Sequence, residues 1–388
     1  MTEPAPLGVY VHWPYCSRIC PYCDFNVVRD RGRAEEQAAL ADAIVADLEA
    51  QAERTGPRRL VSVFLGGGTP SLMAPSQVAR IVETASRLWS PDGEVEITLE
   101  ANPTDAEAGR FAGFAAAGVN RLSLGVQSFD DEALRFLGRN HSAAEAVRAA
   151  EMAADLFPRL SLDLIYALPG QTAEAWAEEL ERAAALGAEH ISPYQLTIEA
   201  GTAFDRAARR GALRPMEEDA SAELLEVTQA VLTDAGFHAY EVSNHARGQA
   251  ARSRHNLVYW RGQEYVGVGP GAHGRLRLDG GRSATRAASS IGTYIGRVRE
   301  RGVGWEEAER LSAREAAEER LLMGLRTIEG VGLGELLPLG LDETAPAVRE
   351  LRASGHLRLE QDRLTATARG RLVLNRIVRD LALAPEPA

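Results

Sequence analysis

The chain contains no lysine. All 43 of its basic residues are arginine, and a guanidinium stays protonated in proteins. Schiff-base chemistry and lysine general bases are thereby excluded, and with them pyridoxal-type enzymes and class I aldolases. Cysteine is nearly as scarce, with three in 388 residues, at positions 16, 20 and 23. An odd number of thiols in so short a stretch is no disulfide framework. Long apolar runs are missing too, none approaching the ~18 residues of a membrane-spanning helix. The opening MTEPAPLGVYVHW has no basic stretch ahead of an apolar one, so no secretion signal is expected. These features predict a cytoplasmic protein. Positive charge is in deficit, with a formal net charge of -12, which speaks against a generic nucleic-acid binder.

What is present is a repeating pattern. Short apolar runs stand at residues 7–13, 60–68, 95–103, 121–129, 160–170 and 190–199, each ending in polar or turn-forming residues. Between them lie Ala-, Glu-, Arg- and Leu-rich segments with helical spacing. Six strand–helix repeats predict an α/β fold with a parallel sheet, open or curved into a full or partial barrel. Beyond residue 235 the alternation lapses. FHAYEVSNHA reads as one more strand, followed by RHNLVYWRGQEYVGVGPGAHG and a Gly/Arg/Ser-rich stretch to about 304. Helical periodicity restarts after Ser312, a plausible N-cap, and the tail reads as helix, short hairpin and final helix. The division expected is 1–235, a connecting segment 236–305, and a smaller α-rich, winged-helix-like domain at 306–388.

In such sheets the chemistry sits at the strand C-termini. Those ends carry Cys16, Cys20 and Cys23, then Gly66-Gly67-Gly68-Thr69, Glu100, Gln127 and Asp163. Thiolates favour zinc, copper(I) or iron–sulfur clusters. Structural zinc wants four protein ligands and would have to recruit a fourth, such as His12. A cubane cluster held by C-x3-C-x2-C keeps one iron without a protein ligand. The triple glycine lets backbone approach a ligand closely, or forms only a tight turn.

Together these motifs resemble the radical S-adenosylmethionine superfamily, whose three-cysteine loop precedes a Gly-rich strand end. The stretches GVYVHWPYCSRICPYCDF, FLGGGTPS, EANP, GVQSFDDEALRFLGRNH and DLIYALPGQT narrow the likeness to the oxygen-independent coproporphyrinogen III oxidases and their HemW-type relatives, over residues 7–380. The resemblance implies a partial (β/α)6 barrel and a [4Fe–4S] cluster on Cys16, Cys20 and Cys23. It also implies S-adenosylmethionine contacts at Tyr10, Tyr22, Gly67, Gly68, Thr69, Glu100, Gln127, Arg139 and Asp163. Reductive cleavage of that cofactor is within the family's chemistry, but no substrate for it is implied.

Two departures choose the branch. Where the oxidases carry a fourth cysteine this chain has Phe25, and RHNLVYW places His255, Asn256, Tyr259 and Trp260 in the H-N-x-x-Y-W pattern of HemW-type proteins. The branch implies a heme chaperone, with that motif at the heme. Its partners would be heme and heme-accepting proteins, membrane-bound ones included, with no nucleic acid, and the chain a monomer or homodimer. The rival is a coproporphyrinogen III oxidase.

Residue chemistry offers independent support. If the motif is helical, His255 and Tyr259 share a face. Residues 245–301 carry eleven arginines against three acids, suited to propionates, to a phosphate backbone or to plain solvation. A histidine beside an aromatic pair is equally at home as a hydrogen-bonded structural residue.

Overall fold

The computed structural model describes residues 4–383; the ends of the expected first and last domains, 1–3 and 384–388, lie outside the described residues. Each of the six apolar runs is a strand: β1 (Pro6–Trp13), β2 (Arg59–Gly67), β3 (Ser90–Ala101), β4 (Arg121–Gln127), β5 (Arg159–Tyr166) and β6 (His190–Gln195). They lie side by side in chain order, each parallel to the next. Parallel neighbours need a crossover, and the intervening segments supply helices Ala34–Thr55, Pro75–Leu88, Ala143–Leu156 and Ala173–Ala185. Between β3 and β4 the crossover is two short helices, Asp105–Ala108 and Phe111–Ala116.

Strand alternation separates two environments. On β1, Leu7, Val9, Val11 and Trp13 are fully buried and face the helices, whose Leu40, Ile44 and Leu48 join the same core. Each such aliphatic side chain contributes about 1.5–3 kcal/mol on burial. The opposite, concave face is polar, carrying His12, Ser62, Glu96, Glu100, Ser123 and Asp163. A parallel sheet normally buries apolar residues on both faces, so this polar lumen needs a ligand or an internal network to satisfy it.

The lapse after residue 235 has two causes. FHAYEVSNHA is not one strand but two two-residue strands, His238–Ala239 and His245–Ala246, running antiparallel along the β6 edge. The chain turns between them because the buried Glu241 carboxylate accepts from the Ser243 N–H at 2.8 Å and from the Asn244 amide. Residues 264–310 then supply four strands on the other side of β1: β7 (Glu264–Val268), parallel to it, and β8 (His273–Leu278), β9 (Gly281–Ala287) and β10 (Trp305–Arg310), each antiparallel to the one before. The sheet therefore has 12 strands, and strands of the expected connecting segment flank the six parallel ones at both edges.

The C-terminal piece has its own core of Leu321, Leu325, Leu336, Val348, Leu364 and Ile377. Ser312 caps the helix Ala313–Gly324 in a capping box with Glu315. The hairpin Leu357–Glu360/Arg363–Ala366, extended by Val331–Gly332, and the helix Leu374–Ala382 complete a winged-helix-like outline. Among the described residues no helix is long and apolar enough to cross a membrane.

Candidate functional site

The cysteine loop leaves β1 and is stapled at its ends. Two-residue strands Tyr15–Cys16 and Val28–Arg29 pair in parallel, and the Asp30 N–H donates to the Cys16 carbonyl at 2.7 Å. All three thiols are free. Cys16 is buried, which pushes its thiol up to about 11, while Cys20 and Cys23 are half-buried. Arg139 Nη1 donates to Cys20 Sγ at 3.4 Å, so a cation already faces the loop where thiolate charge would collect. His12, the recruit a zinc site requires, is not available: its ring nitrogens bond the Tyr10 hydroxyl at 3.0 Å and the Asn26 carbonyl at 2.8 Å.

The glycines after β2 have steric reasons of their own. Gly67 has φ 107°, and a Cβ there would sit 2.6 Å from the His12 ring. A Cβ on Gly68 would sit 2.7 Å from the Tyr15 carbonyl oxygen. Thr69 closes the contact by donating its N–H to that carbonyl at 2.8 Å. The strand end is thus pressed against the cysteine loop, which bare spacing could not reveal.

Between loop and strand ends lies a cavity of ≈ 350 Å³, inside the ordinary range for small-ligand sites. The three cysteines, Tyr22, Gly67, Gly68, Thr69, Glu100, Gln127, Arg139 and Asp163 all line it. Eleven of the twelve residues expected around the cluster and its ligand therefore converge. Tyr10 does not: it lies off this cavity, against Phe64 and His255. Sequence reasoning left out Ser123, Tyr194 and Asn102 from the lining. Asn102, in the EANP stretch, donates to Thr69 Oγ1 at 3.2 Å and accepts from Arg139.

One lining donor lacks a partner, and one lining residue holds an unfavourable backbone. Arg139 Nε is buried without a partner, and Gln127 holds φ 68°, a left-handed backbone that a non-glycine residue adopts at a cost. Burial, reinforced by the neighbouring Asp163, pushes the Glu100 carboxyl up to about 8, and burial raises Asp163 as well. A raised carboxyl at Glu100, with Asp163 shifted in the same direction beside it, suits a ligand that brings an amino group and hydroxyls. Glu100 also accepts the Gly67 N–H at 3.0 Å.

A folded pKa raised above the unfolded value stabilises the fold at low pH, and that contribution is lost as pH rises toward the folded pKa. The ligand-free protein should therefore lose thermal stability relative to Glu100→Gln between about pH 5 and pH 8. Parallel melting curves across that range would refute the assignment.

The HNxxYW motif is helical, Arg254–Trp260, and lies at the opposite, N-terminal end of the strands. Glu96 holds its start, accepting the N–H groups of Arg254 and His255, each at 2.9 Å. His255 is 1% exposed. Its Nδ1 bonds Ser62 Oγ at 2.9 Å and its Nε2 bonds the Tyr259 hydroxyl at 2.7 Å. The ring stacks on Phe64 at 4.9 Å, and burial pushes its pKa down to about 3. Asn256 is half-buried, with its N–H capped by Ser253 Oγ at 3.2 Å. His255 and Asn256 thus seat the helix, while Tyr259, held to His255 through its hydroxyl, and Trp260 border a different space.

They line a second cavity, ≈ 560 Å³, between β7–β9 and the helix Ala313–Gly324. It shares Asp24 and Phe25 with the first, and Phe25 is 61% exposed. Of the eleven arginines in 245–301, three reach it, Arg275, Arg282 and Arg286. Others serve the fold: Arg261 pairs with Glu329 at 2.7 Å and Arg247 lies over the Phe237 ring.

Comparison with known proteins agrees with this geometry. Residues 10–183 match the family model of the radical SAM superfamily, and residues 311–373 that of the HemN C-terminal domain. The chain is 40% identical to the Bos taurus protein called radical S-adenosyl methionine domain-containing protein 1, mitochondrial, over 98% of this chain and 89% of the relative. It is 35% identical to the heme chaperone HemW of Escherichia coli K12, over 97% of this chain and 98% of that one. Among solved structures, the Escherichia coli coproporphyrinogen III oxidase HemN superposes with a TM-score of 0.80 at 23% identity, covering 98% of this chain and 91% of its own. That last likeness is one of fold.

Proposed function

The chain belongs to the radical S-adenosylmethionine superfamily, in the branch that carries a HemN C-terminal domain, and from that premise we propose that it binds heme and passes it to acceptor proteins. The observation that carries the reading is the pair of adjoining cavities. One is lined by the cysteine loop and the polar strand ends, the other by the aromatic end of the HNxxYW helix, and Asp24 and Phe25 border both.

In this reading Cys16, Cys20 and Cys23 ligate three irons of a [4Fe–4S] cluster. Tyr22, Gly67, Gly68, Thr69, Glu100, Gln127, Arg139 and Asp163 hold S-adenosylmethionine, with Tyr10 set behind them. When bound, such a cluster supplies an electron to the sulfonium of that cofactor. The protein's part is positional. Arg139 offers a fork to a carboxylate, the carboxyls of Glu100 and Asp163 accept from amino or hydroxyl groups, and the glycines bring backbone within reach. Three free thiols fit work in a reducing compartment, the cytoplasm.

Phe25 favours the chaperone over the oxidase. It stands where the oxidases keep a fourth cysteine and offers heme an exposed apolar ring. Anaerobic hemin titration of the cluster-reconstituted chain is expected to saturate at one heme per chain, read at the Soret band. Coproporphyrinogen III incubated with the same protein, reductant and S-adenosylmethionine should remain unconsumed. Non-saturating hemin spectra together with porphyrinogen turnover would reverse the assignment.

A further inference from the structure

Both motif nitrogens that could reach heme iron are occupied: His255 is sealed at the base of the sheet with Ser62 and Tyr259 on its two ring nitrogens. The second cavity contains two other imidazoles. His12 is spent on Tyr10 and Asn26. His273, at the start of β8, is exposed and makes no side-chain hydrogen bond among the described residues. Partial desolvation of its ring, on the side that meets the cavity wall, and the adjacent Arg275 and Arg286 lower its pKa, so it presents the neutral ring that metals require.

The charges around it are arranged for an anion. His273 lies directly opposite Arg286 in the β8–β9 register. Arg275 and Arg282 stand on the same side and share a single carboxylate, Glu319, at 2.6 and 3.5 Å. Arg282 Nε and the Trp260 indole N–H are buried with no acceptor. Four arginines line the cavity, Arg320 being the fourth, with Asp24 and Glu319 as the carboxylates in the lining; Arg286 and Arg320 also pair outside it, with Glu307 and with Glu335 at 2.6 Å. Around this charge the walls are flat and apolar: Tyr259 meets Tyr265 edge-on at 4.4 Å, with Phe25 and Met323 beside them. An unengaged imidazole, two orphaned donors and aromatic walls together describe a planar iron macrocycle with carboxylate arms.

We infer that heme seats in this second cavity with a ring nitrogen of His273 on the iron, its propionates taken by Arg275, Arg282 and the Trp260 indole N–H. The assignment rests on the heme-chaperone reading and moves the ligand from the motif histidine to one 18 positions later, between the two glycine-flanked turns of β7 and β8. His255 then acts as a positioning residue, setting the helix that carries Tyr259 and Trp260. A ligand on an exposed strand end, open to solvent, also suits a protein that must give its heme away.

The test uses the full cluster-reconstituted chain with hemin, as wild type, His273→Ala, His255→Gln and Arg282→Gln, read by Soret titration and by electron paramagnetic resonance of the ferric iron. His273→Ala should lose the histidine-ligated signature, weaken binding by about tenfold or more, and recover the signature when free imidazole is added. Arg282→Gln should weaken binding and leave the ligand signature intact. His255→Gln should retain the wild-type signature. Wild-type spectra and affinity in His273→Ala, or loss of the signature in His255→Gln alone, would overturn the ligand assignment while the chaperone reading stood. Failure of the wild type itself to bind hemin would overturn the reading beneath it.

Discussion

Alanine at Cys16, Cys20 or Cys23, introduced singly, is expected to leave a chain that takes up no cluster. The reason is arithmetic as much as geometry. The sequence holds three thiols and no reserve, and a cubane already short of one protein ligand does not survive with two. His12 cannot substitute, because both of its ring nitrogens are bonded and its ring lies against the strand end at Gly67. Iron and sulfide per chain after anaerobic reconstitution should therefore fall from about four each to near zero. The broad thiolate-to-iron absorption should vanish with them. His12→Gln supplies the contrast. A tetrahedral zinc site completed by His12 would lose its metal in that variant, whereas a three-cysteine cluster would keep its iron. Undiminished iron in any one of the cysteine variants would mean that the loop is not the ligand set.

How far the sequence carries depends on what kind of information each feature needs. The six strand–helix units are legible because burial against the helices imposes runs of Val, Ile and Leu. The eleven residues that meet at one cavity are legible through the resemblance of their motifs, and most of them also stand where chemistry collects, at strand C-termini. The strands β8 and β9 are hard to read for the opposite reason. One of their faces bears His273, Arg275, Arg282 and Arg286, and the other is covered with residues as small as Ser283 and Thr285. Only Leu276 and Leu278 alternate there with Arg275 and Arg277, too short an apolar period to single out a strand. The helix at 254–260 is visible as a spacing, but the direction each residue faces is not. His255 and Trp260 belong to one short motif, yet they point to different ends of the molecule's chemistry. One is sealed beneath Phe64 and the other lines an open cavity. Only the third dimension separates a residue that touches a ligand from one that positions it. Tyr10 makes the same point: its motif position pairs it with the first cavity, and its hydroxyl is bonded to His12 instead.

Glu96→Ala is expected to be among the most damaging single changes outside the cysteines, lowering stability by about 3–5 kcal/mol, the usual cost of stripping one partner from a buried ion pair. Glu96 is 1% exposed and sits midway along β3. It pairs with Arg159 at 2.6 Å and takes both N–H groups that begin the motif helix. Removing it leaves the Arg159 guanidinium with the more exposed Glu189, at 2.8 Å, as its one carboxylate and the Arg252 carbonyl at 2.9 Å, and strips the acceptor from the two N–H groups that open the helix. Glu96→Gln keeps an acceptor for the helix and gives up only the charge, so it should fall between wild type and alanine in urea midpoint.

The pH dependence identifies the charge. Burial by itself would raise this carboxyl, but Arg121, Arg159 and the helix N–H groups outweigh it and hold the pKa below the ordinary glutamate range. A depressed folded pKa contributes stability above the unfolded value and loses it as pH falls through the folded one. The gap between wild type and Glu96→Gln should consequently be widest near neutrality and close in acid. A gap that stays constant with pH would assign the loss to packing. An alanine variant within about 0.5 kcal/mol of wild type would mean that the base of the sheet, and the helix that presents Tyr259 and Trp260, is held by something other than this carboxylate.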